Sequence, residues 1–104
     1  MDELKEAAIK DHYANIVKCI NSLWVMDHLV TLLSLDEMDF IRKSQFTPQE
    51  RTRELIAILF KKSEELRPFE RFIKALEKTD TSHEIMAKAI LNTYVCLLIA
   101  RLKC

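Results

Sequence analysis

His12, His28 and His83, together with Cys19, Cys96 and Cys104, are the side chains of this 104-residue chain best suited to hold a metal or carry a nucleophile. Metal sites made from such residues use close repeats, C-x-x-C or H-x-x-x-H, because two ligands must meet on one loop or one helix face. No pair here has either spacing, so neither a metal nor a cofactor is expected. A thiol nucleophile needs a base beside it and a pocket. Cys19 lies on a stripe-bearing helical segment and reads as a small buried hydrophobe. With no nucleophile, base and pocket to assemble, catalysis is not expected. His28 reads as a surface or boundary residue.

Charge chemistry is the remaining resource. Sixteen Lys and Arg balance sixteen Asp and Glu, which leaves none of the broad positive field that nucleic-acid binding requires. Glycine is absent, so phosphate cradles that need a residue without a Cβ are excluded. Three widely spaced cysteines, an odd number, argue for a reduced, cytoplasmic setting. The charged start Met1-Asp2-Glu3-Leu4-Lys5-Glu6 lacks the order of a secretory signal. Twelve uncharged residues separate Lys88 from Arg101, short of the about 20 that cross a bilayer; a membrane partner is not expected.

The elements that must position these charges are helices. With two prolines, no glycine and no hairpin dipeptides, helical spacing divides one domain, residues 1–104, into about six antiparallel segments. The first runs from about Asp2 to Asn21, with Ile9, Tyr13, Ile16, Val17 and Ile20 on one stripe; the second runs from Ser22 to Leu33. Ser34 and Glu37 form a capping box, stapled by Leu33 and Met38, for a third helix ending near Ser44. Thr47-Pro48-Gln49-Glu50 is a second box with proline at the first helical position, and its helix reaches about Lys62. Pro68 opens a fifth helix around Phe69, Phe72, Ile73 and Leu76. Thr81 and Glu84 form a third box for a last helix reaching about Lys103. Trp24 is expected in the core, while Phe60, off the Leu55–Leu59 stripe, is expected to be exposed.

Along these helices the charges segregate. From Cys19 to Ile41 stand Asp27, Asp36, Glu37 and Asp39 with no base; from Arg42 to Lys62 stand six bases against Glu50 and Glu54. Arg53 and Lys61 point away from the stripe centred on Leu55 and Leu59. Such residues can simply keep helix surfaces wet. Segregated in blocks, they can instead dock copies head to tail, a heterologous contact that is weak and salt-sensitive.

Several phrases resemble the caspase recruitment domain of the death-fold superfamily, over about residues 9 to 94. Val25-Met26-Asp27-His28-Leu29 is similar to helix two of the domain that opens the apoptosome scaffold. Thr47 to Ile56 resembles helix four of that scaffold and of its initiator caspase; Phe69, Phe72, Ala75-Leu76-Glu77 and Thr79 resemble the fifth helix and its exit. The resemblance implies an all-α six-helix bundle and homotypic pairing, in which an acidic surface of helices two and three meets a basic surface of helices one and four. It assigns Asp27, and less directly Asp36, Glu37 and Asp39, to the acidic surface. Arg53, Lys61, Lys10 and Lys18 go to the basic one.

The function expected is a non-enzymatic adaptor or decoy in apoptotic or inflammatory caspase-activating signalling. Its partners would be other such domains, an initiator caspase or an apoptosome-type scaffold, with homo-oligomers also open. Pyrin, death and death effector domains are the neighbouring alternatives. Residues 95–104 extend beyond the family's last helix. Ala89, Ile90, Leu91, Val95, Leu97, Leu98 and Ile99 surround the helix axis there, so the competing reading is a structural or membrane-associated helical protein that works through this segment.

Overall fold

Side-chain caps fix where most helices begin. Ser34 and Glu37 make a reciprocal box at α4 (Leu35–Ile41), and Thr47 and Glu50 make another at α5 (Pro48–Lys61). In each box the hydroxyl accepts from the third amide while the carboxylate accepts from the amide of the cap, so two free donors are satisfied together. Asp2 caps α1 (Glu3–Asp11) and Asn21 caps α3 (Ser22–Met26). The box expected of Thr81 and Glu84 does not form at α7 (Thr81–Leu102). Asp80, one residue earlier, caps that helix by accepting from the His83 amide at 2.9 Å. A carboxylate is the stronger acceptor at the positive end of a helix.

The computed structural model describes residues 1–43 and 45–103. Among these are seven α-helices, a 3₁₀ turn at Glu64–Leu66 and no strand. The third predicted helix stops at Ile41, and its expected end near Ser44 lies outside the described residues, as does Cys104.

The count of seven arises at His12. The expected first helix is broken there into α1 and α2 (Tyr13–Cys19). Packing supplies the reason: α1 lies against α7, whereas α2 lies against α5. One straight rod would not serve both neighbours. His12 turns the chain with φ −106° and ψ 12°, and its Nε2 hydrogen-bonds the Thr93 hydroxyl of α7 at 2.7 Å. The second predicted helix is likewise shorter. Regular structure ends at Met26, and turns through Leu29, Leu32 and Leu33 keep those side chains buried.

A chain without glycine must still turn sharply before α6 (Pro68–Glu77). Arg67 does so in the left-handed region, φ 53° and ψ 54°, where a residue with a Cβ costs about 1–2 kcal/mol. The corner is held by the Arg67 amide, which donates to the Glu64 carbonyl, and by Lys5, which bonds both Glu64 and Glu70. The Met1 ammonium donates to the Lys62 carbonyl at 2.7 Å. Thus the first residues strap the joint between α5 and α6.

The core joins a group of α1, α6 and α7 to a group of α2, α3, α4 and α5 through the contacts of α6 with α3 and α5. Ile9, Ile16, Met26, Ile41, Leu55, Leu59, Phe69, Phe72, Leu76 and Ile90 are fully buried in it. Three expectations fail at its edge. Trp24 is 55 % exposed, because the five-residue α3 buries Ser22, Val25 and Met26 and turns Leu23 and Trp24 outward. Cys19 is exposed, since Ile16, Val17 and Ile20 take the inner face of its segment. Phe60 is half-buried against the core, with the Lys10 ammonium 5.7 Å from its ring centroid.

Candidate docking surfaces

α5 buries Thr52, Leu55, Ile56 and Leu59 and thereby turns Gln49, Arg53, Ala57 and Lys61 to solvent, one stripe at four-residue spacing. α2 runs antiparallel beside it. Cys19 and Asn21 share a groove with Pro48 and Arg51, whereas Lys10 stands over Phe60. Lys18 therefore lies towards the start of α5 and Lys10 towards its end. Lys18, Arg53 and Lys61 are exposed, and among the described residues they form no salt bridge. Lys10 is already paired with Glu6 at 3.1 Å.

Folding engages much of the two charge blocks within the domain. Arg51 donates to the carbonyls of Ile41 and Lys43, where it caps the end of α4. Lys62 binds Glu37 at 2.7 Å across 25 residues of chain. Burial opposes ionisation of Glu37, but the Lys62 ammonium and the Ser34 amide outweigh it and hold the carboxyl below its ordinary range. Arg42 reaches Asp27 and Asp39, each at 4.0 Å. Asp27, Asp36 and Asp39 remain exposed at the end of α3 and on α4. Trp24 stands one helical turn before Asp27, so the acidic surface carries an exposed indole that sequence reasoning placed inside.

A second basic surface was missed. Arg67, Arg71, Lys74 and Lys78 line a groove with His28 and Thr31, and Arg71 donates to the Thr31 hydroxyl at 2.7 Å. Their 4-3-4 spacing was a visible signal of one helix face. Glu70 also lines this groove; one of its oxygens accepts from Lys5 at 2.6 Å and the other is buried without a partner. Burial disfavours the charge on Lys5, yet its bonds to Glu64 and Glu70 raise its pKa above the ordinary value. The expectation of two opposed, separate patches is therefore corrected: cations border the acidic surface on two sides.

A family model of the caspase recruitment domain matches residues 1–94. The chain belongs to the caspase recruitment domain family. Comparison with curated proteins found no match. The seven helices form the death-fold bundle of this family, and caspase recruitment domains are interaction modules that associate homotypically in apoptotic and inflammatory signalling. In this caspase recruitment domain the first turn of α7 is tied to the joint before α3. The Asn21 amide donates to His83 Nε2 at 3.0 Å, so Nδ1 carries the proton and donates to Asp80 at 2.7 Å. His83 is buried and thus serves the bundle, not a docking face. No group of His, Cys, Asp and Glu among the described residues could hold a metal ion.

Proposed function

We propose that this caspase recruitment domain is a non-enzymatic adaptor or decoy that docks an initiator caspase or an apoptosome-type scaffold through charge. Asp27, Asp36 and Asp39, with Trp24 beside them, receive the bases of a partner; Lys18, Arg53 and Lys61 make the reverse contact. The observation that carries this reading is the exposure of Arg53 and Lys61 on α5, which form no salt bridge among the described residues. Asp27 and Arg53 also match the acid of the scaffold's helix two and an arginine of the caspase's helix four. Glu37 and Lys10, candidates by sequence, stand at the margins because Lys62 and Glu6 hold them. Exposed free thiols at Cys19 and Cys96 suit a reducing cytosol.

Each exposed ion pair contributes about 0.2–1 kcal/mol, so losing one weakens binding about 1.4-fold to 5-fold for every pair that is broken. Asp27→Arg and Arg53→Glu should each reduce capture of the isolated caspase and scaffold domains, more so in dilute salt, with unchanged circular dichroism. Full binding by both variants overturns the proposed interface. A caspase activation assay then separates the roles: added chain raises activity as an adaptor and lowers it as a decoy.

A further inference from the structure

We propose that the outward stripe of α7 is a pairing seam for a second copy of this chain. The apolar residues that surround the axis in sequence are sorted by the fold. Ala87, Ile90, Tyr94 and Leu97 pack on the core, while Leu91, Val95, Leu98 and Leu102 stand 37, 47, 37 and 79 % exposed. At 3.6 residues per turn these four lie within about 60° of one another, roughly a quarter-turn from the core-facing side. Among the described residues none closes this stripe off from solvent. Their 4-3-4 spacing is that of a short a/d seam, with Leu91 and Leu98 at d and Val95 and Leu102 at a. No charged residue lies between Lys88 and Arg101, so closing the seam desolvates no charge there.

A bilayer fits the same surface less well. By length and composition α7 could cross a membrane, but Thr81–Tyr94 is engaged with the core, and Ala87 and Ile90 are wholly buried. Beyond it the exposed Val95, Leu98, Ile99 and Leu102 span about 12 Å of helix, less than half of a hydrocarbon layer of about 30 Å. A second helix needs only one stripe. The exposed side chains offer on the order of 400 Å² per copy, so a symmetric pair removes roughly 800 Å² from water, below the about 1,200 Å² of stable complexes. The dimer is accordingly weak. It is also symmetric and closed, unlike the head-to-tail charge contact, and it leaves the faces of α3, α4 and α5 free. Joining two domains raises the local concentration at which those faces meet partners.

Sedimentation equilibrium of the full chain, from micromolar concentration upward, tests the seam in about 0.15 M and about 1 M salt, the latter cutting the screening length to about 3 Å. A monomer–dimer equilibrium should persist in high salt and survive Arg53→Glu. Val95→Glu with Leu98→Glu should weaken it at least tenfold with unchanged circular dichroism, and the milder Leu98→Gln should weaken it less. A chain that stays monomeric in high salt, or a dimer indifferent to the double variant, overturns the seam without touching the charge interface. Stripe-dependent flotation with phosphatidylcholine–phosphatidylserine vesicles by a chain monomeric in buffer also overturns it and assigns the stripe to lipid.

Discussion

The two halves of α7 meet fates opposite to their composition: the more polar half packs on the core and the more apolar half is left at the surface. From Thr81 to Tyr94 the helix places His83, Ala87 and Ile90 in the core, with Tyr94 against Phe69 at 5.3 Å between ring centroids. From Val95 to Leu102 it is more apolar, seven residues of eight against seven of fourteen, yet Val95, Leu98, Ile99 and Leu102 are exposed. The family match ends at Tyr94, where the change begins. Hydrophobicity therefore identifies surface that must be covered, whereas the neighbours in space decide whether the chain covers it itself. α1 and α6 cover the inner side of the helix; for the outward stripe from Leu91 to Leu102, another molecule is the occupant we propose.

Four substitutions sharpen or break this contrast. Ile90→Ala should have the largest effect, about 2–5 kcal/mol in chemical denaturation, because it opens a cavity in a fully buried site. A loss no larger than that of a surface change would mean that the first half is not core. Next comes Thr47→Ala, which removes the α5 cap and should reduce stability by about 0.5–2 kcal/mol; it shows how large a local effect is beside a tertiary one.

Asp80→Asn tests how the first half is anchored. The His83 amide, then the His83 ring and the Ser82 hydroxyl, hold the Asp80 carboxyl down from 3.8 to about 2. Since the carboxyl is more acidic folded than unfolded, its contribution is in place above pH 3.8 and is lost as pH falls through 2. Melting temperature should decline over that window in the native chain and decline less in Asp80→Asn. Parallel curves would remove this anchor. The smallest effect belongs to Leu98→Ala: in dilute solution, where the chain is monomeric, stability should change by less than about 0.5 kcal/mol. A loss matching Ile90→Ala would make the second half part of the fold.

Much of the architecture was legible locally. The boxes at Ser34 and Thr47 and the start at Pro68 use groups one to three residues apart, so sequence spacing suffices to find them. The break at His12 was not legible, for no proline or glycine marks it and one apolar stripe runs across it. Trp24 misled for a related reason: α3 ends after five residues, which leaves a narrower buried face than a long helix would have.

The docking surfaces were legible only in part. Asp27, Asp36, Asp39, Arg53 and Lys61 are exposed where helical spacing puts charged residues. Their blocks, however, were counted along the chain, and Glu37, Arg42, Arg51 and Lys62 are occupied by partners from other elements. The α6 groove shows the reverse, a readable spacing whose importance emerges only when His28 and Thr31 are brought opposite it.

By itself the sequence determined helical class, most helix starts and an apolar excess near the C-terminus, since caps, propensity and periodicity act through neighbours within a turn or two. Only tertiary structure decided where the first helix breaks, which charges remain free and which side of α7 stays uncovered. Burial and ion pairing depend on atoms brought together from distant positions, and their outcome exists only after the chain has folded.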